Sequence, residues 1–403
     1  MICSLRTLLS LLYIKNMPLL DIKTFKSSAI INCMNKKNRE VLIRSALRNF
    51  PCNAFRTSKS LFYMMQQGEI AYPYKLTIES TAICNLKCTT CPQNYMKREK
   101  GHLKFALFKN IYDDIKPPYV NLSGFGEPLL NPDLFKIISY AKKHGSFVKV
   151  DTNGMLLNND NINRLLNTGI DIISNSIDGM DKKTYESIRK GAKFETVIKN
   201  LKNLVAARNR KKSKTEIHIY LVLQKKNFKQ FPDFIRFGDS IGVDSISGCF
   251  VKEESYAKNK EVNLEKCDKG ELGKLALDLR EIKGKTKANL EIDEILDDIA
   301  NWEERKKKNW NGVPCYMPWY APFVTWDGTV CPCCLTAADK QVIVGEASKE
   351  KFMNIWNGEK MKNFRRMVAI KRSGCCGKCE LDESYIREQF GKIPFSKLLR
   401  KIK

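Results

Sequence analysis

The 403-residue sequence contains no apolar run of about 18 residues, the length that favours a membrane-spanning helix. The apolar stretch between Met1 and Met17 is short and has no clear small-residue cleavage site, so it lacks the marks of a secretory signal. Glycine and proline, at 22 and 14 residues, are too few for a collagenous or low-complexity chain. These absences argue against an integral membrane protein and against disorder, and we expect a soluble, cytoplasmic protein.

Acidic residues are few relative to basic ones: 44 Asp and Glu stand against 70 Lys and Arg, for a formal net charge of +26. Such an excess suits nucleic acid, an acidic membrane surface or a phosphorylated substrate, and charge alone does not choose among them. The Lys-rich runs at 208–214 and 305–308 are short, as expected of solvated helix ends. We therefore give the charge little weight, and nucleic acid is disfavoured as a partner.

Cysteine, by contrast, is abundant, with 15 residues. A cytoplasmic chain keeps its thiols reduced, and reduced thiols at short spacings commonly bind metal. Most of the isolated cysteines are interpreted as small buried hydrophobic residues, with Cys315 as an exception. The others form three groups, which are Cys84, Cys88 and Cys91, then Cys331, Cys333 and Cys334, then Cys375, Cys376 and Cys379.

Short β-rich runs alternate with helical stretches from residue 75 to residue 248. This alternation predicts a parallel α/β fold with right-handed crossovers, either an open doubly wound sheet or a barrel, complete or partial. Both architectures place function at the carboxyl ends of the strands. The runs cover residues 75–81, 119–124, 147–152, 171–177, 216–223 and 243–248.

Composition divides the chain into five segments. Residues 1–72 form an extension with helical signals and no recognisable chemistry, and residues 73–252 hold the β/α pattern. Residues 253–312 are charged and helical, as expected of a bridge, and residues 313–393 form a small Cys-rich domain. The basic tail, residues 394–403, has apolar residues on one helical face, so peripheral membrane contact is an alternative to a plain solvated end.

Two local patterns predict element boundaries. Asn131 is the expected N-cap of the helix after the second strand, with Pro132 as its first residue. Asp327 and Gly328 are expected to form the turn of a hairpin in the Cys-rich domain, and a helix is expected over residues 352–368.

The first cysteine group, CxxxCxxC, directly follows the first predicted strand. Three thiolates are one too few for a closed structural site, and a zinc or iron-sulfur site with three protein ligands leaves one position open for a small molecule. The group resembles the signature of the radical S-adenosylmethionine (SAM) superfamily. Three segments after later strands resemble motifs of that family in the same order: SGFGEP (123–128), DTNG (151–154) and SIDG (176–179).

The resemblance implies a partial (β/α)6 TIM-type barrel and a 4Fe-4S cluster whose fourth iron is chelated by SAM. One electron, from an external reductant such as flavodoxin or ferredoxin, would cleave SAM to a 5′-deoxyadenosyl radical that takes hydrogen from the substrate. The implied cluster ligands are Cys84, Cys88 and Cys91.

The implied SAM contacts are Gly126, Glu127, Asn153, Ser176 and Arg189, with the Glu127 carboxylate receiving the methionine amino group. The sequence departs from the family at Thr90, where many members carry an aromatic residue near the adenine. Contacts to adenine are therefore not carried over.

The spacing Cys315-x12-Gly328-x4-Cys333 resembles the opening of the C-terminal SPASM or shorter twitch domain of radical SAM enzymes. The resemblance implies one auxiliary 4Fe-4S cluster held by Cys315, Cys333, Cys376 and Cys379, since too few cysteines follow for a two-cluster arrangement. Zinc is the alternative, because the CxxC pairs Cys331 with Cys334 and Cys376 with Cys379 also supply four thiolates. The roles of Cys331, Cys334 and Cys375 stay open.

The substrate is the least determined feature. We expect oxidation or rearrangement of a small polar metabolite or glycan, with a peptide-modifying maturase as the alternative, because residues 1–72 look helical rather than like a strand-containing peptide-recognition element. Asn175, Gln224 and Ser247 are only geometric candidates for acid-base chemistry at strand ends, so no catalytic residue is assigned. An alternative of another class is a non-catalytic iron-sulfur electron carrier or a zinc-stabilised nucleic-acid-binding protein, neither of which needs the GEP and TNG segments.

Overall fold

The computed structural model describes residues 56, 59–60, 71–251, 268–303, 315, 317–338, 341–370 and 376. The predicted helical extension lies almost wholly outside these ranges, as do the basic tail, Cys375 and Cys379.

Strands and helices alternate along the described chain. The strands are β1 (Lys75–Ile78), β2 (Lys87–Cys88), β3 (Tyr119–Leu122), β4 (Phe147–Thr152), β5 (Ile172–Ser176), β6 (Arg189–Lys190), β7 (Glu216–Leu223), β8 (Ser245–Phe250), β9 (Asn289–Glu291), β10 (Phe323–Val324), β11 (Thr329–Cys331) and β12 (Gly345–Glu346). The α-helices are α1 (Phe105–Ile115), α2 (Leu134–Lys143), α3 (Asn159–Asn167), α4 (Lys182–Ile188), α5 (Phe194–Arg210), α6 (Phe231–Ile241), α7 (Lys269–Ile282), α8 (Asp293–Ala300), α9 (Met317–Tyr320), α10 (Cys334–Ala337), α11 (Phe352–Trp356) and α12 (Glu359–Ile370).

The six predicted strands are confirmed as β1, β3, β4, β5, β7 and β8, and neighbouring members of this set pair in parallel. They stand in the sheet in chain order, whereas a doubly wound sheet reverses its strand order at a switch point. Among the described residues the sheet has two open edges, at β12 and β9. The architecture is therefore the expected α/β partial barrel.

The hairpin of the Cys-rich domain belongs to the same sheet. Its first strand, β10, pairs in parallel with β1, and β11 and β12 follow antiparallel. The turn falls at Gly328, as predicted, where a φ of +89° favours glycine. At the other edge, β9 adds a short strand within the segment predicted to be a helical bridge. Three residues are too few to show a strand periodicity.

Two predicted boundaries are wrong. The N-cap of α2 is Asp133, not Asn131. The Asn131 side chain is instead buried between loops, donating from Nδ2 to the backbone oxygens of Ser80 (2.8 Å) and Leu103 (3.1 Å). The helix predicted over 352–368 is two helices, α11 and α12, because the chain turns between them at Gly358.

The strands alternate between residues packed under the helices and residues that line an interior cavity. Val148 and Val150 of β4 are fully buried under the helices, whereas Lys149 and Asp151 line the cavity. TIM barrels usually fill their interior with branched apolar side chains. The polar interior of this barrel therefore leaves room for a ligand. None of the described helices is both long enough and apolar enough to span a membrane.

We expect Leu204→Ala to lower the free energy of unfolding by about 2–5 kcal/mol, because the Leu204 side chain on α5 is fully buried and its removal leaves a cavity. The matched control is Lys202→Ala on the exposed face of the same helix, which should change stability by no more than about 0.5 kcal/mol. Denaturant unfolding of the two variants measures both values. Equal losses would contradict the placement of α5 on the sheet.

Candidate active site

The loop after β1 brings the first three cysteines together. Cys88 lies in β2, which pairs antiparallel with β6 so that Cys88 stands opposite Arg189. The Cys91 backbone N–H donates to the Cys88 carbonyl (3.1 Å), closing the second half of the loop into a turn. Cys84, Cys88 and Cys91 consequently line one cavity, and their thiols form no disulfide.

This cavity lies at the carboxyl ends of the parallel strands, where the fold class predicts chemistry. Its volume is about 460 Å³, within the range of about 300–1,000 Å³ typical of small-molecule sites. The structure brings together in its lining all eight residues predicted for the first cluster and for SAM: Cys84, Cys88, Cys91, Gly126, Glu127, Asn153, Ser176 and Arg189. Thr90, the departure from the family pattern, lines it as well.

The Glu127 carboxylate accepts three hydrogen bonds in this lining. Its Oε1 accepts from the Thr152 hydroxyl (2.7 Å) and from the Leu129 N–H (3.3 Å), and its Oε2 accepts from the Asn153 N–H (2.8 Å). Burial raises the pKa of Glu127, and these hydrogen bonds oppose that rise. Since a carboxylate has about four lone-pair sites, one acceptor position is left for a cationic ligand group.

Gly126 occupies a position that no other residue fits. A Cβ atom there would lie 2.2 Å from the Thr81 carbonyl oxygen and 2.6 Å from that of Ile83. The loop before Glu127 can therefore pass close to the cysteine loop only without a side chain. The Glu127 N–H donates to the Ile83 oxygen (2.9 Å), which fixes this approach.

Asn153 connects the loop after β4 to the cysteine loop. Its Nδ2 donates to Asn85 Oδ1 (2.9 Å) and lies 3.9 Å from Cys84 Sγ, while its Oδ1 accepts from the Met155 N–H (3.0 Å). Asn153 is therefore oriented from both ends of its amide.

Arg189 of β6 stands opposite Cys88 and is buried beside Asp178, with 2.8 Å between Arg189 Nε and Asp178 Oδ2. Burial alone would lower the pKa of Arg189, but the Asp178 carboxylate outweighs it and the pKa is raised. Arg189 is thus a fixed positive charge against the cysteine loop.

The donor set fits an iron-sulfur cluster. Burial raises the pKa of all three thiols, that of Cys91 to about 12, so the thiols are neutral until a metal displaces their protons. No three His, Cys, Asp or Glu side chains in the described ranges converge as a single metal ion requires. A cluster with several irons does not need that convergence, because each thiolate binds a different iron. The cavity also leaves space for a ligand next to the thiols.

The predicted auxiliary ligands are only partly described. Cys315 and Cys376 pack against the main core, and Cys333 packs with Leu335 and Met317. Cys379 lies outside the described residues, so the four-cysteine set and its zinc alternative stay predictions. Cys331 is fully buried among Phe125, Phe323 and alanines, as a small hydrophobic residue would be.

A charged pair that was not predicted from the sequence lies in the cavity wall. Lys149 Nζ lies 2.8 Å from Asp151 Oδ1, and Tyr220 of β7 also lines the cavity. The sequence signal that could have found the pair is KVDT (149–152), since side chains two residues apart in a strand point to the same face. The geometric candidates Asn175, Gln224 and Ser247 are buried but are not in this lining.

Two family models match the chain. The model of the radical SAM superfamily matches residues 78–238, and that of the SPASM iron-sulfur cluster-binding domain matches residues 315–380.

Similar proteins match to different extents. Mycofactocin maturase MftC of Mycobacterium tuberculosis is 31% identical over 42% of this chain and 43% of its own length. A tungsten-containing aldehyde ferredoxin oxidoreductase cofactor-modifying protein of Pyrococcus furiosus is 23% identical, covering 77% and 88%. PqqA peptide cyclase of Gluconobacter oxydans is 25% identical, covering 73% and 79%. The chain thus spans less than half the length of the maturase it matches.

The structure of Streptococcus suis SuiB bound to precursor peptide SuiA has the same fold, with a TM-score of 0.59, 17% identity, and coverage of 83% of this chain and 77% of that chain. The order of the motifs along the barrel, the cysteine cavity and the matching models agree. Residues 78–238 form a radical SAM domain, and residues 315–380 form an SPASM domain. The cofactors of the first domain are a 4Fe-4S cluster and SAM, and the second domain binds auxiliary iron-sulfur clusters.

We expect Gly126→Ala to weaken SAM binding at least tenfold, on the order of 1.4 kcal/mol, because the new methyl group displaces the loop that holds Glu127. Gly273→Ala is the matched control: a Cβ at Gly273 of α7 meets nothing within 4 Å, and alanine favours the helix by about 1 kcal/mol. Calorimetric titration with SAM compares them. Wild-type affinity in Gly126→Ala would refute the assigned loop.

We expect the reconstituted wild-type protein to hold about eight irons per chain, and the triple variant Cys84→Ala, Cys88→Ala, Cys91→Ala about four, because one of two clusters is lost. Cys249→Ala, in β8, should retain all the iron. Metal and sulfide analysis after anaerobic reconstitution gives the counts. About four irons with one zinc in the wild type would replace the auxiliary cluster by a zinc site.

Proposed function

We propose that this protein is a radical SAM enzyme that modifies a peptide. The observation that carries the proposal is the match to PqqA peptide cyclase, which extends over most of both chains. The match to a maturase, at 31% identity over 42% of this chain, also supports it. A small metabolite or glycan was the substrate expected from the sequence, and the relatives favour the peptide alternative instead.

The chain's own residues supply binding and orientation. Cys84, Cys88 and Cys91 would hold the cluster, and the remaining acceptor position of Glu127 would take the ammonium group of SAM. When bound, the cluster and SAM supply one-electron cleavage to a 5′-deoxyadenosyl radical, which abstracts hydrogen from the substrate. The negative carboxylate suits this ammonium. Gly126, which has no side chain, lets the loop that carries Glu127 lie close to the cysteine loop.

The part of the cavity wall formed by Lys149 and Asp151 would receive the reacting part of the substrate. Burial works against ionisation of Asp151, but the Lys149 ammonium outweighs it and the pKa of Asp151 is lowered. Asp151 therefore stays ionised and can accept hydrogen bonds from polar peptide groups, while the Lys149 side chain beside it is a hydrogen-bond donor. Leu86, Phe125 and Val222 add apolar surface that limits the access of water to the same space.

A second candidate, modification of a small cofactor, is favoured by one specific observation. The Pyrococcus furiosus relative, named as a cofactor-modifying protein, matches 77% of this chain and 88% of its own length, more than the peptide cyclase does. The same cavity would serve either substrate, because the hydrogen-bonding groups of its wall can bind the polar groups of a small molecule as well as those of a peptide.

We expect anaerobic protein with SAM and dithionite to form 5′-deoxyadenosine faster when a peptide substrate is present, and to leave a mass change on that peptide. The probes are synthetic peptides encoded by short reading frames beside its gene, and a panel of small polar metabolites and tetrapyrroles. Deuterium placed on the peptide should appear in 5′-deoxyadenosine. Stimulation by a small molecule and by no peptide would reject the proposal in favour of the second candidate.

The proposed role of Glu127 is tested in the same assay. Glu127→Gln should lower 5′-deoxyadenosine formation by about 10- to 100-fold, because the amide cannot pair with the SAM ammonium and turns a donor towards backbone N–H groups. Glu195→Gln, an exposed carboxylate on α5, is the control and should retain the wild-type rate. A Glu127→Gln rate equal to the control would exclude the role.

A further inference from the structure

The carboxylate of Glu79 joins the SAM-binding loop to the C-terminal hairpin. Glu79 follows β1 directly and is fully buried. Its Oε1 accepts from the Phe125 N–H in the SGFGEP segment (3.2 Å), and its Oε2 accepts from the Trp326 N–H in the hairpin turn (3.3 Å). One side chain thus holds the backbone of two segments about 200 residues apart in sequence.

Arg98 completes this connection. Its guanidinium donates to Glu79 Oε1 (2.6 Å) and, through Nε, to the carbonyl of Ala338 just beyond α10 (3.1 Å). Both side chains are buried, with 4% of Arg98 and none of Glu79 exposed. A buried pair that loses one partner leaves an uncompensated charge, so the two residues act as one unit.

The packing around the pair is close on both sides. A Cβ on Gly124 would lie 2.5 Å from Glu79 Cγ, and a Cβ on Gly101 would lie 2.5 Å from the Trp326 ring. Phe125 contacts Phe323 of β10, with ring centroids 5.9 Å apart, in a cluster that includes Cys331. Neither segment can therefore shift without displacing the other.

We propose that Glu79 is a positioning residue that couples SAM binding to the conformation of the C-terminal hairpin. Phe125 is bonded to Glu79 and precedes Gly126 and Glu127, so a ligand that orders these two residues also orders the Glu79 carboxylate. The Glu79 carboxylate is hydrogen-bonded to Trp326 and Arg98 to Ala338, so they also order the segment between these two residues. That segment contains Cys331, Cys333 and Cys334. The coupling rests on the proposed function only in taking SAM as the ligand, and it needs no substrate.

Linkage fixes what the coupling must do. If SAM binding stabilises the hairpin by some factor, the intact hairpin contacts raise SAM affinity by the same factor, commonly about 5- to 150-fold. Glu79→Gln keeps the size of the side chain but turns an amide donor towards Arg98 or a backbone N–H. The variant should therefore lose both effects together.

The experiment is hydrogen exchange of the full, cluster-loaded chain with and without SAM, together with SAM titration. In the wild type we expect SAM to slow exchange at residues 124–127 and also at residues 323–338. In Glu79→Gln the slowing at 323–338 should vanish, and SAM affinity should fall about fivefold or more. Arg98→Lys, which keeps the charge but not the forked geometry, should give an intermediate loss and serves if Glu79→Gln does not fold.

The matched control is Asp171→Asn. Asp171 is also a buried, ion-paired carboxylate, 2.5 Å from Lys142 Nζ, and accepts from the Val148 N–H (2.7 Å), but it is not in the cavity lining. It should lower stability while retaining the SAM effect on 323–338. The proposal is overturned if the wild-type hairpin shows no response to SAM, if Glu79→Gln retains it, or if Asp171→Asn loses it equally. A protein that modifies no peptide but shows this pattern would contradict the proposed function alone.

Discussion

The pairing of β1 with β3 on one side and with β10 on the other sets the position of everything at the site. Thr77 stands opposite both Asn121 and Phe323, so the residues after β1 emerge between the barrel and the C-terminal hairpin. A slip of one residue would turn every side chain of β1 to the other face. Glu79 would then lose both backbone partners, and the cysteine loop would start from the wrong side of the sheet.

The polar interior of the barrel is the second constraint, because polar groups removed from water require partners. The Lys149–Asp151 pair and the hydrogen-bonded carboxylate of Glu127 meet that requirement within the protein. The helices supply the compensating stability through the apolar faces of the same strands, where residues such as Val148 and Ile173 are fully buried. Stability and ligand binding thus use opposite faces of one sheet.

The sequence predicted what depends on local pattern. The six strands follow from hydrophobic runs, and Cys84, Cys88 and Cys91 from their spacing, since both signals lie within a few residues. The contacts of Glu79 with Arg98 and Trp326 join residues 19 and 247 positions apart, and no periodicity reports such a contact. The same holds for Asn131: its Oδ1 accepts from the Asp133 N–H just before α2, as a local pattern can suggest, but the bonds from its Nδ2 to the distant Ser80 and Leu103 are not visible in the sequence.

The protonated state of the thiols explains how such a site is built before a cluster is present. Buried thiols with a raised pKa behave as small hydrophobic groups, so three of them in one cavity wall add no buried charge to the apoprotein. The fixed charges nearby are already paired, Arg189 with Asp178 and Lys149 with Asp151. The cavity can therefore form with the fold, and negative charge enters the cysteine loop only together with the positive charge of iron.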